Sequence, residues 1–309
     1  MRVILLFLDG VGIGKGNPST NPFFSAEIPA LKGLLGGVLP VLSKKRIQSS
    51  KAILIPVNAT LRVPGLPQSG TGQTAIFTGV NGAKVFGKHF GPYPPTILRS
   101  IIESKNIFRQ LLQHGKKPGF GNAYPKRFFD YVERHPTRLT VTTYACLQTG
   151  IPLRRDTDLA AGKAVSADIT GAGWHSLGYP EMDVIEPPEA GRRLVALLEH
   201  HDFVLFEYWR TDKAGHSRHM KEAVGVLEQI DQLLAGVLER MDQRRDLLLI
   251  TSDHGNLEDL STKTHTRHPV PAILYGQRHM DFAAKLEGPR RPGLCDVTPA
   301  LVSLLTDDG

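Results

Sequence analysis

Cysteine is scarce in this chain, which has only two, Cys146 and Cys295, far apart and outside any CxxC pair. So few cysteines exclude a disulfide framework and a thiolate metal site, and they are typical of a protein from a reducing compartment. Long hydrophobic runs are also lacking, and none approaches the roughly 20 apolar residues of a membrane-spanning helix. The apolar start, MRVILLFLDG, ends at Asp9 without a small-residue cleavage pattern, so we interpret it as a buried strand and not as a signal peptide. These absences predict a cytoplasmic protein that does not enter a membrane.

Charge of one sign is not concentrated in any run. The 309 residues carry a formal net charge of +7, but the basic residues occur as scattered pairs without interleaved aromatic residues. The excess positive charge either covers a generally basic, solvated surface or attracts anionic partners such as phosphorylated metabolites. Nucleic acid is a poorly supported partner because no basic run is present. Internal repeats and low-complexity segments are also absent, and nothing in the sequence indicates an oligomeric state.

The sequence does contain a series of buried strands and amphipathic helices. Apolar stretches predict strands over 2–8, 202–209, 246–251 and 269–276, and periodic apolar positions predict helices over 187–199, 223–241 and 297–306. This alternation is typical of an α/β three-layer sandwich, in which helices cover both faces of a mainly parallel sheet. The segment 124–183 is richer in glycine, proline and paired charges and has weaker periodicity. We predict that it forms a small lid inserted into a core made of residues 1–123 and 184–309.

Aspartate and histidine residues lie at the ends of the predicted strands. Six of them share this placement: Asp9, Asp212, His216, Asp253, His254 and His265. A single aspartate after a strand is often a helix N-cap, but histidine is not a preferred cap, so caps do not explain all six. Ligands of open α/β sheets bind outside the carboxyl ends of the strands, which predicts one shared site.

The six side chains predict a site for two divalent metal ions. Mixed carboxylate and imidazole ligation suits manganese or zinc, whereas magnesium prefers oxygen ligands alone and fits less well. Six ligands are too many for one tetrahedral ion but fit two ions with open positions. Two such ions can clamp the attacking and leaving oxygens of a displacement at phosphorus.

A phosphoryl-transfer site of this kind needs a nucleophile, and the stretch GLPQSGTGQTAIFTG supplies one. Ser69 stands between a proline-containing turn and the predicted beginning of a helix. Free backbone N–H groups and the positive helix end at that position favour a phosphoryl group. A bound metal ion would lower the pKa of the hydroxyl and activate it. The alternatives are that Ser69 is only an N-cap, or that Thr71 or Thr74 is the reacting hydroxyl.

Five motifs occur in the order found in the alkaline phosphatase superfamily: FLDGVGIG, QSGTGQTA, TDKAGH, TSDHGN and HTRHPVP. They most resemble the branch of cofactor-independent phosphoglycerate mutases and phosphopentomutases. The resemblance implies an alkaline-phosphatase-like fold with a small lid insertion. It also implies one ion held by Asp9, Ser69, Asp253 and His254, a second ion held by Asp212, His216 and His265, and Ser69 as the residue that is phosphorylated.

Asp253 and His254 are adjacent, so on an extended strand their side chains would point in opposite directions. Both can reach the same ion only if the chain turns at this point. Gly255 follows them directly, and glycine makes such a turn easy. We therefore expect a turn at Gly255 that brings both side chains to the ion beside Ser69.

Two features depart from the mutases. The chain has Gln73 where the mutases tend to carry a histidine, and their large inserted domain is absent or reduced to the short segment 124–183. A mutase must shield its phosphoenzyme from water, which requires a substantial cover. The predicted function is therefore two-metal phosphoryl transfer on a small phosphorylated metabolite, by either a phosphatase or a phosphomutase. Alternatives are a phosphodiesterase or sulfatase of the same superfamily, or a metal-binding protein that has lost turnover.

Four further residues are candidates for contact with the substrate: Lys213, His219, Arg154 and Arg155. Lys213 lies inside a metal motif, and His219 follows His216 by one helical turn. Arg154 and Arg155 stand on the predicted lid, where a guanidinium could bind a phosphate or carboxylate with two hydrogen bonds. Solvent-exposed positions without a ligand are the competing interpretation for all four.

Overall fold

The strand predicted at the start of the chain lies near the centre of a seven-stranded sheet, as β1 (Arg2–Leu8). The computed structural model describes residues 1–44, 46–288 and 290–307, so residues 308–309 of the predicted core lie outside it. The other described strands are β2 (Ile47–Gln48), β3 (Ala52–Val57), β4 (Pro118–Phe120), β5 (Asn122–Ala123), β6 (Val165–Ser166), β7 (Phe203–Tyr208), β8 (Asp246–Thr251) and β9 (Val270–Gly276). Across the sheet the order is β2-β3-β9-β8-β1-β7-β4, and β5 pairs separately with β6.

The sheet is mixed, although most of its strands share one direction. β8, β1, β7 and β4 are parallel neighbours. β9 enters antiparallel beside β8, and β3 is antiparallel to β9, so β3 points the same way as β8. β2 is antiparallel to β3. The beginning of β9 therefore lies at the same edge of the sheet as the carboxyl ends of β8, β1 and β7.

Helices cover both faces of the sheet. The described α-helices are α1 (Pro29–Leu34), α2 (Ser69–Thr78), α3 (Gly82–Phe86), α4 (Thr96–Lys105), α5 (Ile107–Gln113), α6 (Lys126–Arg134), α7 (Val141–Thr149), α8 (Asp156–Ala160), α9 (Pro187–Ala196), α10 (Arg210–Ser217), α11 (Met220–Arg240), α12 (His279–Leu286) and α13 (Val297–Thr306). Short 3-10 helices occur at Pro22–Phe24, Ala172–Leu177, Leu197–Glu199 and Leu294–Asp296. Among the described residues, no helix is both long and apolar enough to cross a membrane.

Two hydrophobic cores result from the alternation of side chains along the strands. Leu5 and Phe7 of β1 lie in the core beneath α2, α4, α5, α7 and α13. Ile4 and Leu6 lie in the other core, beneath α9 and α11. Successive side chains of a strand point to opposite faces, so a continuous apolar run requires cover on both sides. The predicted three-layer α/β architecture is confirmed.

The segment predicted as a lid contains parts with different environments. Helix α7 is in the core, where Val141, Ala145 and Cys146 are buried with Phe7 of the central strand. Helix α6 has no fully buried residue, and one of its faces lines a cavity. The limits 124–183 stay a prediction, and within them α6 is the element placed to cover a site at the sheet edge.

Candidate metal centre

Four side chains from distant parts of the sequence converge at the carboxyl edge of the sheet. The Nε2 atom of His254 lies 3.0 Å from Ser69 Oγ, 3.3 Å from Asp9 Oδ1 and 3.6 Å from Asp253 Oδ2. Asp9 directly follows β1, and Asp253 and His254 follow β8. Because β1 and β8 are parallel neighbours, their ends deliver these residues to one point. We call Ser69, Asp9, Asp253 and His254 the serine cluster.

The position of Ser69 distinguishes it from the rival hydroxyls. Ser69 is the first residue of α2, and the N-cap is Gln68, so Ser69 does not act as the cap. The Thr71 hydroxyl donates to Gln68 O at 3.1 Å, and the Thr74 hydroxyl donates to Gly70 O at 2.6 Å. Both threonines are thus bonded to backbone near their own helix turn. Ser69 is the hydroxyl that contacts the ionisable side chains.

The second cluster combines Asp212, His216 and His265. Asp212 and His216 are four residues apart on α10, which places them on one helix face. His216 Nε2 lies 3.3 Å from Asp212 Oδ2 and 3.1 Å from His265 Nε2. His265 precedes β9, whose antiparallel direction brings it to this edge. We call these three residues the histidine cluster.

The histidine cluster can present two neighbouring ring nitrogens to a cation. His265 Nδ1 lies 2.8 Å from Pro67 O, and His216 Nδ1 lies 3.1 Å from Lys263 O. A carbonyl oxygen only accepts, so each Nδ1 carries a proton, and in a neutral ring Nε2 is then unprotonated. Two such Nε2 atoms 3.1 Å apart repel each other unless a cation or proton lies between them. Metal-binding histidines are usually oriented by this kind of second hydrogen bond.

The serine cluster has an excess of buried negative charge. Burial and the nearby Asp253 carboxylate raise the pKa of Asp9 well above its ordinary value. Burial also lowers the pKa of His254, but the Asp253 and Asp9 carboxylates outweigh it and raise that pKa to about 10. Asp9 Oδ1, Asp253 Oδ2 and His254 Nδ1 are buried without a hydrogen-bond partner among the described residues. Two buried carboxylates share one imidazole here, which leaves negative charge that a divalent cation would compensate.

Asp212 lies between the two clusters. Its carboxylate can be grouped with His216 and His265, or with Asp9 and His254, with all ligand atoms of each group within 4.8 Å of one another. Although burial raises the pKa of Asp212, hydrogen bonding to His216 and the positive charge of His254 bring it below the ordinary value. Gly10 has φ +71°, and a Cβ at this residue would lie 2.5 Å from Asp212 Oδ1. The turn after β1 therefore requires glycine at this position, because any side chain there would collide with the Asp212 carboxylate.

The chain bends at Asp253 and His254, as expected, but the turn does not depend on an unusual backbone angle at Gly255. Gly255 does not have a positive φ, and its backbone pairs with Thr266 in an isolated antiparallel bridge. A Cβ on Gly255 would collide with the side chains of Thr266 and Glu258. Glycine is needed here for close packing and not for an unusual backbone angle, which only the tertiary contacts could show.

Glu258 was not among the candidates from the sequence, yet it connects the loops that carry the ligands. Its buried carboxylate accepts hydrogen bonds from the backbone N–H groups of Gly12 and Asn256, both at 2.8 Å. It also accepts from the Thr266 hydroxyl and contacts His268 Nδ1 at 3.0 Å. These partners come from the loops after β1 and β8 and from the loop before β9. Its position five residues after Asp253, in DHGNLE, is the only signal that the sequence carries.

We expect Glu258→Ala to weaken metal binding by roughly ten- to a hundredfold, because the loops that carry the ligands lose the carboxylate that joins them. Asp231→Ala is the matched control. Asp231 is also a buried carboxylate, and it accepts from the backbone N–H groups of Ala30 and Leu31, far from the clusters. Calorimetric titration of the metal-free variants with manganese measures the effect. Both variants should have a lower melting temperature, but equal metal affinities in the two would contradict the positioning role.

Glu207 is a second residue that the sequence did not single out. It lies on β7 with its side chain buried, and the Thr142 hydroxyl donates to its carboxylate. Burial, together with the nearby Asp253, raises the pKa of Glu207 to about 7 despite this hydrogen bond. In the sequence, the apolar neighbours of Glu207 indicate an ordinary strand residue. Only the folded structure shows that it lies near the clusters.

The four predicted substrate contacts occupy different places. Lys213 lines a cavity that opens onto Asp9. Arg154 instead donates to Phe120 O at 2.8 Å and contacts His201, and Arg155 lies over the ring of Phe129 at 4.0 Å. His219 is an exposed residue at the beginning of α11. Only Lys213 of these four is brought to the cavity.

Comparisons with known proteins agree with this geometry. Residues 181–307 match the family model described as the metalloenzyme superfamily, a range that includes five of the cluster residues but not Asp9 or Ser69. The chain is 31% identical over 136 residues to a 2,3-bisphosphoglycerate-independent phosphoglycerate mutase of Saccharophagus degradans. This alignment covers 41% of this chain and 25% of that protein. The match thus spans about a quarter of the relative.

Two solved structures share the fold across the whole chain. A protein of Pyrococcus horikoshii superposes with a TM-score of 0.58 at 13% identity, covering 100% of this chain and 98% of that one. The alkaline phosphatase of the Antarctic bacterium TAB5 has a TM-score of 0.54 at 12% identity, covering 99% and 98%. The fold is therefore that of the alkaline-phosphatase-like α/β proteins. By sequence, the chain is similar over part of its length to the metalloenzyme superfamily and to 2,3-bisphosphoglycerate-independent phosphoglycerate mutases.

Proposed function

We propose that this protein is a two-metal enzyme that transfers phosphoryl groups through a phosphoserine at Ser69. One divalent cation would be held by the serine cluster (Asp9, Ser69, Asp253, His254) and the other by the histidine cluster (Asp212, His216, His265). The observation that carries the proposal is the contact of 3.0 Å between Ser69 Oγ and His254 Nε2, at the first residue of a buried helix and beside two buried carboxylates. A merely structural serine would have no need of this surrounding charge.

The bound cations would supply positive charge that lowers the pKa of the Ser69 hydroxyl and neutralises the phosphoryl oxygens. The protein contributes position. Helix α2 presents Ser69 with the positive end of its dipole, where a phosphoryl group is stabilised. Ser69 Oγ then attacks the phosphorus as the ester oxygen leaves, and water or a second hydroxyl later removes the phosphoryl group from the serine. Lys213, at the cavity wall, would attract the phosphate of the substrate.

Solvent access favours water as the final acceptor. The side chain of His216 is 44% exposed, so the histidine cluster is open to solvent. A phosphomutase has to exclude water while the phosphoenzyme waits for its acceptor. We therefore favour a phosphatase over a phosphomutase within the proposed class.

Single-turnover trapping tests the intermediate and the acceptor together. The metal-loaded protein is mixed with a ³²P-labelled phosphate ester and quenched in acid. We expect the label on the peptide that contains Ser69, followed by its release as inorganic phosphate that has gained oxygen from ¹⁸O-labelled water. Label that returns to the substrate skeleton would identify a mutase, and turnover of sulfate esters or phosphodiesters alone would identify the other branches. Metal binding without label at any residue would indicate an inactive metal-binding protein.

The remaining parts of the proposal follow from the donor set and the composition. Manganese and zinc suit the mixed carboxylate and imidazole ligands better than magnesium. A small phosphorylated substrate and a cytoplasmic location agree with the basic charge and the two free cysteines. Activity of the metal-free protein with each ion supplied in turn would rank the metals.

A further inference from the structure

A cavity of about 950 Å³ opens onto Asp9 at the edge of the serine cluster. Its walls include one face of α6 and the first turn of α10. Pockets that hold drug-sized ligands have volumes of roughly 300–1,000 Å³, so this space exceeds the needs of a three-carbon phosphate ester. The volume indicates a substrate with a large group attached to its phosphate.

Unpaired positive charges line two sides of the cavity. Arg127 and Arg134 are seven residues apart on α6 and therefore share one face, and Arg210 and Lys213 are three apart on α10. Within the described part of the chain, none of these four forms a salt bridge, whereas several arginines elsewhere, such as Arg192, do. The cavity thus offers more positive charge than one phosphoryl group requires.

Within the described part of the chain, the acidic residues on the wall form no salt bridge with these cations. Asp168 accepts from the backbone N–H groups of Gly171 and Gly173 and from the Ser166 hydroxyl, which occupy its carboxylate. Asp9 belongs to the serine cluster, and Glu207 is buried and bonded to Thr142. The cations are therefore available to anionic groups of a ligand that enters the cavity.

Two aromatic side chains on the wall are exposed to the cavity solvent. Trp209, which precedes α10, is 46% exposed, and Tyr93 is 37% exposed. Tryptophan is highly buried on average, so exposure beside a binding cavity is unusual. Tyr124 and Phe128, by contrast, stack on each other with ring centroids 4.0 Å apart, so each ring has one face covered by the other. Trp209 is the more exposed of the two lining rings, and it stands next to Arg210 in the chain.

We propose that this cavity binds phosphate esters of the nucleotide class, in which a flat heterocycle is joined through a sugar to phosphate. The heterocycle stacks on Trp209, and any further phosphate charge is met by Arg127 and Arg134 of α6. Stacking of bases on aromatic side chains and pairing of phosphates with cations are the two interactions by which proteins hold nucleotides. The assignment of the phosphoryl group to Ser69 rests on the proposed function, whereas the stacking does not.

Equilibrium binding to the metal-loaded Ser69→Ala protein tests the proposal without turnover. The probes are adenosine 5′-monophosphate and ribose 5-phosphate, which share the sugar phosphate and differ in the ring. We expect the nucleotide to bind at least about tenfold more tightly, which is the scale of one base stacked on an aromatic side chain. Trp209→Ala should remove this preference and leave ribose 5-phosphate unaffected, while Trp209→Phe should keep most of it.

Fluorescence gives a second measurement, since the chain has only two tryptophans. The other, Trp174, also lines the cavity but is 3% exposed and donates its indole N–H to Ser166, so the Trp209→Phe derivative reports the signal of Trp174 alone. Quenching by the nucleotide in the Ser69→Ala protein should vanish in its Trp209→Phe derivative although binding persists by calorimetry. The charge is tested with adenosine 5′-diphosphate. Arg127→Ala with Arg134→Ala should weaken the diphosphate more than the monophosphate, and Arg244→Ala, an exposed arginine outside the cavity lining, should change neither.

The two proposals fail in distinguishable ways. Equal binding of the two probes, or equal weakening of both by Trp209→Ala, would overturn the nucleotide assignment even if wild type forms the phosphoserine. Trp209-dependent nucleotide binding by a protein that never labels Ser69 would overturn the proposed phosphoryl transfer and keep the binding site.

Discussion

Turnover of 4-nitrophenyl phosphate falls by at least about a thousandfold in Ser69→Ala, because removing a nucleophile leaves only the catalysis of its surroundings. Metal content stays near normal in this variant, since Asp9, Asp253, His254 and the whole histidine cluster remain. The variant also loses few packing contacts, because Ser69 is the first residue of α2 and the change removes only one oxygen atom. A steady-state assay together with metal analysis of the same samples measures both quantities.

Thr74→Val is the matched control for Ser69→Ala. Valine has the shape of threonine, and the Thr74 hydroxyl contacts only the carbonyl of Gly70 in its own helix. We expect activity within a few-fold of wild type. If Thr74→Val were inactive and Ser69→Ala active, the nucleophile would be the threonine, and if both were active the covalent mechanism would be wrong.

The second large effect concerns the charge of the serine cluster. Burial and the Asp253 carboxylate raise the pKa of Asp9 in the folded protein. A carboxyl group with a raised pKa in the folded state binds its proton more tightly there than in the unfolded chain. Its contribution to stability is therefore present at low pH and is lost as the pH rises through the folded-state pKa. Without metal, the contribution of Asp9 to stability should therefore fall as the pH rises above the ordinary titration range of an aspartate.

Asp9→Asn removes this repulsion and also removes a metal ligand, so its effect should change sign with metal. In the metal-free state at pH 7 we expect the variant to melt at a higher temperature than wild type. With manganese in excess the order should reverse, because a ligand at a hundred times its dissociation constant stabilises the folded state by about 2.7 kcal/mol. Thermal melts of both proteins, with and without manganese and at several pH values, test this. A metal-induced rise that is the same in both proteins would contradict the ligand role of Asp9.

Much of the architecture could be predicted from local patterns. The strands predicted at 2–8 and 246–251 coincide with β1 and β8, and the closing helix coincides with α13. Buried apolar runs and helical periodicity are properties of adjacent residues, so they survive in a single sequence. Strand β3, which contains a proline, was not predicted, although it is as long as β8. The helices between residues 82 and 113 were not predicted because they are short and their apolar patterns are ambiguous.

The candidate site was predictable for a similar reason. Asp9, Asp253 and His254 each interrupt an apolar run at its end, and polar residues at that point have no packing role. The residues that surround the two clusters have no comparable pattern in the sequence. Glu258 and Glu207 look like an ordinary loop carboxylate and an ordinary strand residue, and their contacts with other loops and strands depend on segments far away in sequence.

The sequence alone determined the long strands and helices and the side chains that stand at their ends, because periodicity, turn chemistry and charge act over a few neighbouring residues. The tertiary structure decided which of those side chains lie close to one another. The antiparallel direction of β9 brings His265, which precedes a strand, to the edge where Asp9 and His254 follow strands. Packing placed α7 in the core and left α6 over the cavity, and it set Trp209 on the cavity wall. These outcomes depend on strand order and on long-range packing, in which every element is positioned by all the others.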